Sequence, residues 1–141
     1  MKLEHLIQAY KKNNIEAELK DMSDGKEKAG TITFASGICA AYLLDDEEIV
    51  ISMKIFFNSL ARGSLKLDKQ ITHTERVLEV IQNTIMLLGN VTQHESNMIL
   101  ESLGFFDNTL TENKGIKHLC HTYRLEVLGS LLCLNINEIE E

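Results

Sequence analysis

Residues 38–57, ICAAYLLDDEEIVISMKIFF, decide the fold because their apolar residues have the spacing of two β-strands joined by a turn. From Ile49 to Phe57 every second residue is large and apolar, and the positions between them include Ser52 and Lys54. A period of two is typical of a strand with one buried face. The acidic residues 45–48 separate the two apolar runs, as in a hairpin turn that faces solvent. The segment therefore predicts two antiparallel strands and a hydrophobic core.

The residues before this hairpin extend it into a small sheet. Residues 2–13 have the apolar spacing of a helix, residues 15–19 alternate weakly like an edge strand, and residues 31–34 form a short strand. Short connections join these segments, so neighbouring strands should be antiparallel. We predict a β-meander of three or four strands.

Two helices should follow the meander, because each has a readable start. Residues 72–75 and 92–95 both fit a capping box, in which a Thr accepts from the third helical amide and a Glu reaches back. The predicted helices end near Leu88 and Leu103, where Gly89-Asn90 and Gly104 stop them.

The C-terminal third is ambiguous between a helix and two strands. Apolar residues recur at helical spacing from Ile116 to Leu134, which favours a helix to about Leu128 and then a strand over residues 131–136. The alternative is a hairpin of residues 121–128 and 130–136 with its turn at 129–130. The predicted fold class is α+β: two-layer, an antiparallel β-meander packed against helices, in a single domain over residues 1–141 with surface loops at 21–30 and 108–115. The order of these elements resembles that of small acidic secretion chaperones, a resemblance that shares no motif and carries no residues over.

Composition narrows the classes of partner and the compartment. The 141 residues carry a formal net charge of −7 and contain no Pro and three Cys. A nucleic-acid-binding protein usually presents a basic stripe, and this sequence has none. No apolar run reaches the length of a membrane span, and the N-terminus does not read as a secretory signal. We therefore expect no nucleic acid, no membrane, a cytoplasmic location, and free Cys that pack as small buried hydrophobes.

His118, Cys120 and His121 form the cluster with metal-ligand residue types. On a helix the two His would lie one turn apart, whereas on a strand His118 and Cys120 would share a face. A zinc site needs three or four ligands, and the sequence has no second spaced pair to complete one. Adjacent Cys and His side chains diverge, which disfavours a catalytic dyad. We predict no cofactor and no metal, with these residues as the candidates if a site exists.

Surplus apolar side chains point instead to a protein partner. Where consecutive residues are apolar on both sides of an element, something must cover the second side. The candidates for an interaction surface are Phe56, Phe57, Ile85, Met86, Phe105 and Phe106. We predict a non-enzymatic protein-binding module, an acidic adaptor, chaperone or inhibitor-like protein that is dimeric and binds another protein or itself. The alternative is a small ligand- or metal-binding domain, or an enzyme, that uses the His118, Cys120 and His121 cluster.

Overall fold

The computed structural model describes residues 1–58, 67–106 and 112–139, without the side chains of Ser36 and residues 67–74. In chain order the elements are α1 (Leu3–Lys12), β1 (Ala17–Asp21), β2 (Lys28–Phe34), a 3-10 turn (Ala35–Gly37), β3 (Cys39–Leu44), β4 (Val50–Asn58), α2 (Leu67–Gly89), α3 (Gln93–Ser102), β5 (Lys114–His118), β6 (His121–Leu128) and β7 (Leu131–Glu138).

The strands form one antiparallel sheet in the order β1-β2-β3-β4-β7-β6-β5. Two meanders build it: β1 to β4 come from the N-terminal part, and β5 to β7 come from the C-terminal part. They join where β4 pairs with β7, in a register that places Met53 opposite Ile136 and Ile55 opposite Leu134. This long-range pair makes the two halves of the chain one sheet.

The predicted fold class is wrong, because an α+β two-layer domain with a meander of three or four strands packed against helices understates the sheet. The described residues form seven antiparallel strands, which are the main element, with three helices. The error lies in the C-terminal third, where the favoured helix is in fact β5 and β6. The alternative hairpin is the observed one, with its turn at residues 129–130 and Gly129 at a φ of 71°.

Two predicted loops are also too long, because strands extend into them. The predicted loop 21–30 contains the end of β1 and the start of β2, so the connection is residues 22–27. The predicted loop 108–115 overlaps the start of β5 at Lys114, and residues 107–111 lie outside the described part.

One face of the sheet, which we call the inner face, packs against the helices. Antiparallel partners share a face, so the buried alternate residues of neighbouring strands line up across the sheet. Their side chains join those of α1, α2 and α3 in one hydrophobic cluster. Fully buried members include Tyr10, Ile55, Ile85, Tyr123 and Leu134. On the opposite face, which we call the outer face, lie the residues that alternate with the inner-face residues along each strand, such as Glu18, Lys20 and Phe56.

The two helix starts have different outcomes. Thr92 is the N-cap of α3: its side chain accepts from the Glu95 amide, and the Glu95 carboxylate accepts from the Thr92 amide, so this capping box is confirmed. The box at residues 72–75 is wrong as a start, because α2 already begins at Leu67. At the end of α2 the left-handed residue is Asn90, with a φ of 51°, and Gly89 is still helical. In the described part of the chain, no helix combines the length and apolarity required to cross a bilayer.

Candidate protein-binding surface

The His118, Cys120 and His121 cluster lies in the hairpin between β5 and β6. His118 ends β5 and His121 begins β6, and the two residues are cross-strand partners. Leu119 and Cys120 form the turn, in which Leu119 adopts a φ of 53° and both residues are exposed. Because the turn intervenes, Cys120 does not share a face with His118. The two imidazoles instead belong to the inner face.

His118 holds α3 against the sheet. Its Nε2 donates to Glu95 Oε2 over 2.8 Å, while Glu95 Oε1 accepts from Thr92 at the N-cap. The hydrogen bond from His118 is the main reason that the pKa of Glu95 lies below its ordinary value. One carboxylate thus completes the capping box and binds the imidazole, which gives His118 a structural task.

His121 lies in a more apolar environment. Burial lowers its pKa, although the charge of Glu138 opposes this effect. Its Nδ1 is buried and makes no hydrogen bond, and the same is true of Ser96 Oγ and Tyr123 OH among the described residues. The rings of His121 and Tyr123 lie 6.3 Å apart. These three buried polar atoms are therefore left without a hydrogen-bond partner in the described part of the chain.

Within residues 1–58, 67–106 and 112–139, no three His, Cys, Asp or Glu side chains converge in a way that could hold a metal ion. All three Cys are free. Cys133 is buried as expected, and burial raises its pKa to about 11. Cys39 and Cys120 are exposed, which corrects the expectation for these two thiols.

The six apolar candidates divide between the core and the surface. Phe57, Ile85 and Phe105 are buried, so the expectation that they line an interaction surface is corrected: α2, β4 and the residues after α3 cover one another. Phe57 and Phe105 are in contact, with ring centroids 5.9 Å apart. Phe56 and Met86 are half-buried. Phe106 is 53% exposed and remains a surface residue.

Phe106 lines a crevice between α2 and α3. We call this surface the α2–α3 crevice; it has a volume of about 400 Å³, and its lining residues are Leu78, Gln82, Gln93, His94, Asn97, Met98, Leu100, Glu101 and Phe106. Met98, which lines the same crevice, is 51% exposed. Met98 and Phe106 thus place two exposed apolar side chains beside the polar lining residues. The Gln82 side-chain amide donates to Asn97 Oδ1, which ties α2 to α3 across the crevice.

Glu101 is the one Asp, Glu, Lys or Arg among the lining residues of the crevice. Glu75, Glu79 and Glu101 are exposed on α2 and α3, whereas Arg76 is the one Lys or Arg among the described side chains of these two helices. Arg76 and Glu79 both line a different depression, together with Ile15, Phe34 and Ile38. The crevice therefore combines apolar side chains with one carboxylate, that of Glu101.

Met98 is absent from the six candidates of the sequence analysis, because beside Ile99 it reads as part of the apolar stripe of α3. The buried residues of α3 are Ser96, Ile99 and Leu100, followed by Leu103 at the helix end. They recur at intervals of three and four, and Met98 falls outside that stripe. This spacing was the signal that could have identified Met98 as a surface residue.

No protein-family model matches this chain, and no curated protein or solved structure shows significant similarity to it. The element order that suggested a resemblance to secretion chaperones is itself corrected, because three strands follow α3 where a helix and one strand were expected.

Proposed function

We propose that this protein is a non-enzymatic protein-binding module whose α2–α3 crevice receives an apolar side chain of a basic amphipathic helix. The observation that carries the proposal is the pair Met98 and Phe106, each about half exposed and both on one crevice. Exposed apolar groups that share a concave surface with polar groups are typical of interaction sites.

The size of the apolar contribution sets the expected affinity. Covering the exposed halves of Met98 and Phe106 removes roughly 200 Å² of apolar surface, which is worth about 5 kcal/mol. Association itself costs a comparable amount, so these two side chains supply an anchor rather than a complete interface. Additional contacts must come from the polar and charged groups around the crevice.

Those groups select the charge of the partner. Glu101 in the crevice attracts a Lys or Arg side chain, and the chain as a whole carries a net charge of −7. A helix that lies along a groove presents anchors at intervals of three or four residues and can carry basic residues beside them. The supported partner is a polypeptide with one or two apolar anchors flanked by Lys or Arg.

A displayed library of amphipathic helical peptides with randomised anchors and flanking charges tests this proposal. We expect selection on the full chain to enrich peptides with apolar anchors beside Lys or Arg, and binding to weaken as salt is raised. Phe106→Asp and Met98→Asp should each weaken an enriched peptide at least tenfold, by about 1.4 kcal/mol or more.

Leu128→Asp provides the matched control, because Leu128 is also 53% exposed but lies at the end of β6. This variant should bind the peptides as the parent chain does. Peptides that bind Phe106→Asp as tightly as the parent, or a selection that enriches nothing, would contradict the proposal.

A further inference from the structure

The open edge of β1 is complementary to itself. β1 pairs only with β2 in the described sheet, and Glu18 to Asp21 are all exposed. Exposed edges with unpaired backbone groups are templates for another strand. We infer that β1 pairs antiparallel with β1 of a second copy of this chain, which makes one sheet continuous through a two-fold dimer. This surface is separate from the α2–α3 crevice and does not depend on the function proposed for it.

Backbone geometry identifies which residues can form that pair. The Met22 amide donates to the Ala29 carbonyl over 2.9 Å, in line with the β1–β2 register. Because hydrogen-bonded and non-hydrogen-bonded pairs alternate along an antiparallel ladder, Lys20 and Glu18 also bond to β2. The N–H and C=O groups of Ala17, Leu19 and Asp21 therefore point to the open edge.

Two-fold symmetry and this alternation leave few registers. A residue whose backbone N–H and C=O point to the open edge must lie opposite another such residue. The two-fold axis can therefore pass through Glu18, Leu19 or Lys20. An axis at Glu18 would place that carboxylate opposite its own copy, and an axis at Lys20 would oppose two ammonium groups. Like charges directly opposite each other destabilise a strand pair. The favourable axis passes through Leu19.

With the axis at Leu19, every cross-strand pair fits. Glu18 faces Lys20 of the second copy on the outer face, and the symmetric pair repeats this contact. Leu19, which is 44% exposed, faces its own copy on the inner face. Ala17 and Asp21 bring their outward backbone groups together, so three hydrogen-bonded positions supply about six backbone hydrogen bonds.

The opposite edge of the sheet lacks this complementarity. β5 carries Lys114, Lys117 and His118 and no acidic residue. An antiparallel pair of two β5 strands would gain no opposite charges. α3 also contacts β5, as the His118–Glu95 hydrogen bond shows. Self-pairing is therefore specific to β1. Its Glu18 and Lys20 side chains disfavour pairing with an unrelated strand, but they match the Lys20 and Glu18 side chains of a second copy.

Sedimentation equilibrium of the full chain over a range of concentrations tests the inference by charge reversal. We expect the parent to form dimers, and Glu18→Lys or Lys20→Glu alone to raise the dimer Kd about tenfold or more, because each change replaces two attractive pairs with two repulsive ones. The double variant should dimerise like the parent, and a mixture of the two single variants should form a heterodimer.

Two further variants separate pairing from misfolding and from general charge effects. Leu19→Pro removes an amide that points to the open edge, a position where an edge strand tolerates Pro, and it should abolish the dimer while circular dichroism stays native. Glu47→Lys makes the same change in net charge in an exposed turn outside β1 and should leave the Kd unchanged.

Several results would overturn the inference. These are a parent chain that stays monomeric at every concentration, single charge reversals without effect, or a double variant that does not recover. A dimer that Phe106→Asp disrupts and Glu18→Lys leaves intact would place the interface at the α2–α3 crevice instead. Peptide binding to the crevice is measured separately, so either proposal can fail alone.

Discussion

Two buried tyrosines predict opposite consequences for the same substitution. Tyr10 and Tyr123 are both fully buried in one hydrophobic cluster. The Tyr10 hydroxyl is hydrogen-bonded to the side chain of Thr84, whereas the Tyr123 hydroxyl has no hydrogen-bond partner in the described residues. Replacement by Phe removes one oxygen in each case. We therefore expect Tyr10→Phe to destabilise the protein and Tyr123→Phe to stabilise it or leave it unchanged.

The direction of the Tyr10 hydrogen bond follows from the proton count. Thr84 Oγ1 has one proton and donates it to the Val80 carbonyl over 2.7 Å, so it accepts from Tyr10. Tyr10→Phe removes the donor to Thr84 Oγ1, which then keeps only its hydrogen bond to the Val80 carbonyl. The loss of this buried hydrogen bond costs about 1–2 kcal/mol.

At Tyr123 we expect replacement by Phe to change the free energy of unfolding in the opposite direction. A buried hydroxyl without a partner carries a desolvation penalty of about 1–3 kcal/mol, which Phe does not pay. Burial also raises the Tyr123 pKa to about 12, and the charge of Glu95 adds to this effect. Part of the gain is lost with the dispersion contacts of the oxygen, so we expect between zero and about 2 kcal/mol of stabilisation.

Urea unfolding followed by far-ultraviolet circular dichroism measures the difference. At an m-value of about 1–3 kcal/mol per molar, a difference of 2 kcal/mol between the variants moves the midpoint by about 0.7–2 M. Equal losses of stability in both variants would refute the reasoning. A marked loss for Tyr123→Phe alone would mean that its hydroxyl has a partner in solution.

Three further perturbations test other local features. A Cβ at Gly89 would lie 2.3 Å from the hydroxyl oxygen of Tyr123 but 3.7 Å from its Cζ. Gly89→Ala should therefore reduce the stability of the parent by at least about 1 kcal/mol, whereas in the Tyr123→Phe background it should be neutral or stabilise by up to about 1 kcal/mol. A double-mutant cycle measures this coupling. Leu119→Gly should raise the free energy of unfolding by about 1 kcal/mol, because Leu119 is 63% exposed at a φ of 53°, and Leu119→Ala should give no such gain in the same urea titration. Burial holds the His121 pKa below its ordinary value of 6.5, so the unfolded chain binds the proton first. The stability that neutral His121 provides is present above pH 6.5 and is lost as the pH falls below it, and His121→Gln should reduce the slope of stability against pH in this window.

The N-terminal meander could be predicted from sequence because each strand carries its own signal. Residues 49–57 carry a large apolar residue at every second position, and the acidic turn bounds them. From Met53 to Phe57 the buried residues follow this pattern, whereas a register shift at Leu43 and Leu44 buries Val50 in place of Ile51 at the start of β4. The capping box of Thr92 and Glu95 could also be predicted, because both of its hydrogen bonds are local.

The C-terminal third could not be predicted, because its local pattern fits two structures. Ile116, Tyr123 and Val127 fit helical spacing, yet in the structure they lie on the inner faces of two strands. Leu119 and Leu131, which complete the helical pattern, are exposed. The inner-face positions are odd-numbered in β6, as at Val127, and even-numbered in β7, as at Leu132, because the turn at Gly129 separates the two strands. The pairing of β7 with β4, more than seventy residues away, selects the strands, and no local window contains that information.

Gly89 shows how a correct boundary can rest on the wrong cause. The sequence pattern assigns Gly89-Asn90 to a helix stop, and α2 does end there. The residue that needs the left-handed conformation is Asn90, whereas Gly89 is required because the Tyr123 hydroxyl lies over it. A contact between residues on α2 and β6 therefore accounts for a glycine that reads as a local signal.

The two Phe pairs explain why the candidate site emerges only from the structure. Each pair of consecutive aromatic residues has one inward and one outward member, so the sequence establishes that an aromatic side chain faces out at both places. At β4 the neighbouring strands β3 and β7 half-bury the outward Phe56, which lies between Cys39 and Cys133. After α3 the chain passes through Gly104, at a φ of 91°, and no sheet neighbour covers Phe106 in the described part. The exposure of Phe106 beside Met98 follows from where α3 ends against α2. Tertiary structure, rather than composition, thus distinguishes a half-covered aromatic side chain from one that can anchor a partner.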